Sequence, residues 1–397
     1  MSNVEIVFAA NDDYLPYLAV TINSIISYAD SSRIYSIHIL YTNMSEYNIT
    51  RILAMAKGQI AIEFIDVSDM VAGRNYYGGV RADTKHISEE TFYRLLIPEL
   101  FSDRERMLYL DCDLVTLEDV SELYDTDLEG KTIGAVSSAV YWNEKRQDQF
   151  PDEAHEWFNA GILLWDIKKW IAKEYTKKCD EVGGQRKLET GDQELLQIVC
   201  YKDVKYLDYE WNFLWHDTAD EQFLLKGDAA KAYGEVSRHP KIVHYSGRIK
   251  PWHAPEIQFA EYFWAEARKT VFYEQILYAN LNEKTDIDLF GKYIFPFDQV
   301  PREKSIVLYG AGAVGKIFKR QIELLGWYRV IAWVDKNFDS SQGRKLKLTD
   351  PEKIRILPFD KLVIAVEKEN TAISIRDQLI HMDICDEKIF WADPMVR

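Results

Sequence analysis

The chain has 397 residues, with 64 Asp and Glu against 48 Lys and Arg, a formal charge of -16 and a pI near 5.1. That length exceeds one ordinary core and predicts two domains, each large enough to fold without disulfide or metal staples. The charge argues against a nucleic-acid partner, because binding a phosphate backbone needs clustered Lys and Arg to displace counterions. Cys112, Cys179, Cys200 and Cys385 show no C-x-x-C spacing, so neither a zinc knuckle nor a secreted disulfide framework is suggested. The opening residues do not read as a leader and no run of about 18 apolar residues occurs, so the expected location is the reducing cytoplasm.

From the amino end, Glu5 to Ala10 reads as a strand, Asn11-Asp12-Asp13-Tyr14 as a polar turn, and Leu18, Ile22, Ile25 and Ile26 as one face of a helix. Further apolar runs follow at Ile37 to Tyr41, Ile60 to Val67, Met107 to Leu110, Ile133 to Val136 and Ile162 to Ile167, with helical stretches between several of them. Alternation of this kind predicts an α/β fold with a mainly parallel sheet flanked by helices. Ligands of such sheets sit beyond the carboxyl ends of the strands, at a switch in strand order. Both Asn11-Asp12-Asp13 and Asp111-Cys112-Asp113 stand at predicted strand ends.

Strand alternation sends the carboxylates of Asp111 and Asp113 to one side and Cys112 to the other. Two acids so placed suit a hard divalent cation that leaves coordination positions for phosphate oxygens, although such a pair also serves as a solvated turn or helix cap. Further on, Thr190 and Gln193 have the spacing of a helix capping box ahead of Leu195, Leu196, Ile198 and Val199. Tyr262 to Leu281 reads as one amphipathic helical segment, expected to pack on the protein's own surface, with peripheral contact at the inner membrane face as the alternative. Past a linker, Ile306 to Gly315 reads as strand, G-x-G-x-x-G and helix, and Val330 to Val334 ends in Asp335 where a dinucleotide site would place its ribose acid. NAD or another nucleotide is therefore one reading of this region; the other is that the glycines serve tight packing of helix on strand in an assembly or regulatory domain.

Four segments, Phe8-Ala9-Ala10-Asn11-Asp12-Asp13-Tyr14, Tyr109-Leu110-Asp111-Cys112-Asp113, Phe158-Asn159-Ala160-Gly161 and His244 to His253, occur in order across residues 4 to 255. Together they resemble glycosyltransferase family 8, retaining enzymes that include glycogenin and the bacterial galactosyl- and glucosyltransferases of lipooligosaccharide synthesis. The resemblance implies a GT-A type nucleotide-diphospho-sugar transferase over residues 1 to 285, while the G-x-G-x-x-G segment and its flanking strands read as a Rossmann-like α/β domain over 304 to 397, past a linker over 286 to 303. The resemblance also implies a UDP-sugar donor and Mn2+, with Mg2+ the alternative ion, held by Asp111, Asp113 and His244. Ala9, Asn11, Asp13 and Tyr14 would meet the nucleotide, with Tyr14 stacked on the base. Arg94 would approach sugar and diphosphate, and Lys250, past the bend permitted by Gly247, would cap the diphosphate. Asn159 and Asp192 would bind the donor sugar, and the Gln193 carbonyl would lie beneath the anomeric carbon; double displacement through Asp192 is the rival mechanism.

His86 to Leu95 resembles the segment that closes over the donor, and the polar stretch Val71 to Lys85 is a candidate lid. Two departures stand out. Asn11 and Asp13 exchange the residue types common in the family, and Ser138 stands where the galactosyltransferases carry Asp, which argues against transferring their hexose or acceptor to this chain. The expected activity is transfer of glucose or galactose to a hydroxyl of a saccharide, glycoprotein or glycolipid acceptor, by a protein capable of homo-oligomer formation. The alternatives are a UDP-sugar sensor without turnover and an NAD-dependent oxidoreductase centred on Gly310 to Gly315.

Overall fold

The computed structural model describes residues 3–72, 74, 88–138, 157–185, 188, 191–214, 234–246, 249–255, 257–285, 293–297 and 299–395. The chain divides into two compact units, Met1–Thr270 and Val271–Arg397. The helix Tyr273–Thr285, which the sequence reading assigns to the first domain, thus falls in the second unit.

Among its described residues, the first unit contains ten strands: β1 Val4–Ala9, β2 Tyr35–Tyr41, β3 Ile60–Asp66, β4 Arg106–Leu110, β5 Leu114–Thr116, β6 Ile133–Ser137, β7 Phe158–Asp166, β8 Val204–Leu207, β9 Phe213–Leu214 and β10 Ile242–His244. Seven form one sheet in the order β3-β2-β1-β4-β7-β6-β8. All its pairings are parallel except those of β7 with β4 and β6. Every residue of β1 is buried, the pattern of a central parallel strand covered on both faces. Glu5 is tolerated there because His38 of β2 lies between it and Glu63 of β3, with ring nitrogens 2.8 and 2.6 Å from the two carboxylates.

The predicted first helix spans Leu15–Tyr28, with Pro16 in its first turn and Leu18, Ile22 and Ile25 buried. Thr21 of this helix places its Oγ1 2.9 Å from the Cys112 carbonyl and 2.7 Å from that of Leu114, tying the helix to the chain that leaves β4. A second, three-stranded sheet, β5-β10-β9, follows directly from β4, since only Asp111, Cys112 and Asp113 separate β4 from β5. Strand order switches at β1, which has β2 on one side and β4 on the other, so the turn after β1 and the link after β4 open at the same sheet edge.

Where the sequence suggests one segment from Tyr262 to Leu281, the structure has two helices, Ala260–Ala267 and Tyr273–Thr285, in different units. Phe263 and Trp264 are buried in the first unit, and Trp264 donates its indole N–H to the Pro251 carbonyl. Among the described residues, no helix is long and apolar enough to cross a membrane.

The second unit carries a parallel sheet in the order β12-β11-β13-β14, with β11 Ser305–Tyr309, β12 Arg329–Val334, β13 Lys361–Ile364 and β14 Ile389–Phe390. Two of the three glycines after β11, Gly310 and Gly315, serve close approach. Gly310 adopts φ +115°, and a Cβ on Gly315 would lie 1.9 Å from the Gly310 carbonyl oxygen. Asp335 accepts the Ala311 N–H on one carboxylate oxygen and the Asn337 N–H on the other, both at 2.8 Å.

Candidate active site

The site forms where the two sheets of the first unit meet. The three-residue link is fixed by its backbone: Asp111 N–H donates to the Gly161 carbonyl on β7 at 2.8 Å, and the Asp113 carbonyl accepts the Tyr245 N–H at 2.9 Å. The alternation expected of a strand end holds. Cys112 turns inward with Sγ 3.2 Å from the Ala9 carbonyl, while Asp111 and Asp113 face His244, the last residue of β10. His244 Nε2 lies 3.7 Å from Asp111 Oδ2 and 3.2 Å from Asp113 Oδ1, and one ligand atom from each residue falls within 4.8 Å of the others. Two carboxylate oxygens and one imidazole nitrogen form a donor set suited to a divalent ion such as Mn2+.

Each carboxylate is gripped by its other oxygen. Asp111 Oδ1 accepts from the Tyr109 hydroxyl at 2.8 Å and from Arg94 Nη2 at 2.9 Å, and Asp113 Oδ2 accepts from Lys250 Nζ at 2.5 Å. Burial works to raise the Asp113 pKa, but the Lys250 ammonium and His244 outweigh it and hold the carboxyl well below its ordinary value. Gly161 explains itself here: a Cβ at that position would sit 2.3 Å from His244 Cε1, 2.7 Å from Asp111 Oδ2 and 2.9 Å from Asn159 Oδ1. No other residue fits behind the cluster without displacing it.

Arg94, on the 3-10 helix Glu89–Leu96, is buried and lies over the Tyr109 ring at 4.3 Å. Besides Asp111, its guanidinium reaches the carbonyls of Thr91 and Ala160, and its Nε lies 2.9 Å from Asp192 Oδ2. Asp192 opens the helix Asp192–Cys200, whose N-cap is Gly191 at φ +61°, so the helix does not begin on a Thr190 cap; Thr190 itself lies outside the described residues. Burial of Asp192 raises its pKa to about 7, with Arg94 opposing the rise and Asp111 adding to it. Gln193 turns its Oε1 to the Ala160 N–H at 3.0 Å, with Asn159 Nδ2 at 3.5 Å.

The amino-end segment meets this cluster at the sheet edge. Asn11 Oδ1 accepts the Tyr14 N–H at 3.1 Å, and Asp13 and Tyr14 are exposed, while Ala9 is buried at the end of β1. The Tyr14 ring stands edge-on to Trp252 at 6.3 Å, and Trp252 stacks on Tyr17 at 3.8 Å, joining the first segment to the one that carries Lys250. Lys250 is buried, with its ammonium shared between Asp113 and the Tyr245 carbonyl, 2.5 Å from each. Gly247 and most of the candidate lid lie outside the described residues.

Three residues at the site escape the sequence reading. Tyr109 could have been found, because it stands two positions before Asp111 on the same strand and so shares its face. Asp12, between the two residues singled out, is the buried member of the turn and accepts from Ser45 and Asn48. Asn212, on a short 3-10 turn, contacts both His244 and Asn159, and no periodicity or motif marks it.

A mixed, mainly parallel sheet with an acidic pair at the end of a central strand is the arrangement of GT-A glycosyltransferases, and it is to solved structures of that class that the chain is similar. Among solved structures, the galactosyltransferase LgtC in complex with donor and acceptor sugar analogs superposes with a TM-score of 0.57 at 27% identity, over 67% of this chain and 96% of that one. The chain belongs to glycosyl transferase family 8, whose signature matches residues 5–256. General stress protein A of Bacillus subtilis is 28% identical over 264 residues, 63% of this chain and 88% of that protein. Lipopolysaccharide 1,3-galactosyltransferase of Salmonella typhimurium is 29% identical over 181 residues, 43% of this chain and 51% of that enzyme. Residues 302–390 match a separate description, C2185-like, N-terminal.

Proposed function

We propose that the first unit transfers a hexose, glucose or galactose, from UDP to a hydroxyl of a saccharide, glycoprotein or glycolipid acceptor, with retention at the anomeric carbon. The observation that carries this reading is the convergence of Asp111, Asp113 and His244 beside Asn159, Asp192 and Gln193 in a family 8 chain. Those three ligands would hold Mn2+, or Mg2+ in its place, and the bound ion would supply positive charge to the diphosphate leaving group. Ala9, Asn11, Asp13 and Tyr14 border the nucleotide, and Arg94 and Lys250 bring fixed cationic charge to the side from which UDP departs. Asn159 and Asp192 bind sugar hydroxyls.

An amide is a weak nucleophile, and the Asp192 carboxyl is buried against Arg94. Both facts favour acceptor attack on the face that UDP leaves, with Gln193 stabilising the cationic sugar, over double displacement through Asp192. Gln193→Ala should then slow transfer with less harm to UDP binding; a loss chiefly of UDP affinity would remove Gln193 from the anomeric carbon. The sensor reading has no comparable support, since the related lipopolysaccharide enzyme is named as a transferase.

The second unit is read as a Rossmann-like domain for assembly or regulation. Gly310 and Gly315 are used in packing, Gly312 is open, and both oxygens of Asp335 are engaged by backbone N–H groups, which weighs against a ribose contact at Asp335.

The deciding measurement is UDP release from the purified protein with UDP-glucose, UDP-galactose or UDP-N-acetylglucosamine, in Mn2+ or EDTA, with acceptor extracts added. Mn2+-dependent release from one donor, abolished in Asp113→Ala and in the better-packed Asp113→Asn, is expected. Donor binding without turnover under all conditions would shift the reading to a sensor, and release that persists in both variants would overturn the metal assignment.

A further inference from the structure

We propose that Asn212 is a positioning residue that sets which nitrogen of His244 faces the cation, and that it does so from a polarity fixed by two backbone N–H groups of β7. The inference rests on the reading of His244 as a metal ligand and goes beyond it. Gly161 N–H can only donate, and it lies 2.9 Å from one terminal atom of the Asn159 amide, so that atom is the oxygen. Asn212 meets the same oxygen at 2.9 Å and must present its NH2 there. Its own oxygen is thereby turned to His244 Nδ1, also at 2.9 Å, and an oxygen acceptor there requires a proton on Nδ1. Nε2, the nitrogen that faces Asp111 and Asp113, is then the one whose lone pair a cation would take once it displaces any proton held there.

The same strand fixes the other end. Ala160 N–H donates to Gln193 at 3.0 Å, which makes that terminal atom the oxygen and directs the remaining Asn159 NH2 toward it. Two consecutive N–H groups thus orient Asn159, Asn212, His244 and Gln193 as one set. Asn159, Asn212 and His244 are all buried, so water does not offer these groups easy substitute partners.

The test uses the full chain, Mn2+ alone as the probe, and two variants. Asn212→Leu keeps the bulk and removes both polar contacts, and Asn212→Asp, protonated on the oxygen that meets the Asn159 oxygen, keeps the acceptor for Nδ1–H. Titration calorimetry is expected to show the Mn2+ dissociation constant raised roughly 10- to 100-fold in Asn212→Leu and kept within about threefold of the parent in Asn212→Asp, since the oriented acceptor survives. The imidazole 15N spectrum of the metal-free protein should show a slowly exchanging His244 Nδ1 proton in the parent and in Asn212→Asp, lost in Asn212→Leu. Unchanged affinity and an unchanged spectrum in Asn212→Leu would overturn the proposal, and so would equal loss in both variants, which would make Asn212 a packing residue only. Should Asn212→Leu fail to fold, Asn212→Asp decides through the spectrum, where loss of the Nδ1 proton counts against the relay. A parent protein that binds no Mn2+ would overturn the metal assignment instead, and the spectrum, which needs no metal, would still decide the role of Asn212.

Discussion

Gly161 and Asp192 make the sharpest claims at the scale of single residues. A methyl group at 161 would press into His244 and Asp111, so Gly161→Ala should weaken Mn2+ binding at least about tenfold while costing only about 1–3 kcal/mol of stability. Metal titration beside urea unfolding checks this, and a variant with parental Mn2+ affinity would show that the cluster can yield. For Asp192, the folded pKa of about 7 stands above the ordinary 3.8. The group's contribution to stability is therefore complete below the ordinary value and is lost as pH rises through about 7. Asp192→Asn cannot ionise, so in metal-free protein its stability relative to the parent should improve between pH 4 and pH 8, by up to roughly 4 kcal/mol; a difference that stays flat across that range would contradict the assignment. The acidic pair and its shared side were legible in the sequence because a strand end has a two-residue repeat. Seating of Lys250 on Asp113, and of Arg94 between Asp111 and Asp192, was not legible, because those contacts join residues that only the fold brings together.

Among the elements, those with long periodic or apolar runs were the ones read correctly. β1, β2 and β4 and the helix Leu15–Tyr28 all follow predicted segments closely. β7 begins at Phe158 rather than at the apolar run from Ile162, which places Asn159, Ala160 and Gly161 inside a strand and lets their N–H groups and carbonyls work at the site. β9 and β10 are two and three residues long, too short to carry a period, so the second sheet could not be foreseen. The G-x-G-x-x-G segment was found by its spacing, and its role as packing is testable. Gly315→Ala, whose Cβ would meet the Gly310 carbonyl, should destabilise the second unit by about 1–3 kcal/mol or more. Gly312→Ala, with open space around it, should change stability by less than about 0.5 kcal/mol. Thermal melts of the two variants decide, and equal effects would leave the packing explanation without support.

For the whole molecule, length predicts two domains, and the chain divides into two compact units after Thr270. Each has its own buried core, and Asp111, Asp113 and His244 belong to one of them. Mn2+ at about 100 times its dissociation constant should therefore stabilise the first unit by about 2.7 kcal/mol and leave the second untouched. Calorimetry with and without EDTA would see this as a shift in one transition; a parallel shift in both would mean that the units unfold together. The three-residue link from β4 to β5 adds one consequence. Asp111 leaves the large sheet and His244 ends a strand of the small one, so an ion held between them would tie the two sheets. The small sheet is also held by Thr21, by Ser24 on Thr116, by Asn212 on Asn159 and by buried Val115, Ile242 and Val243, so the ion would add one tie to many and its removal should quicken hydrogen exchange at His244 and its neighbours most.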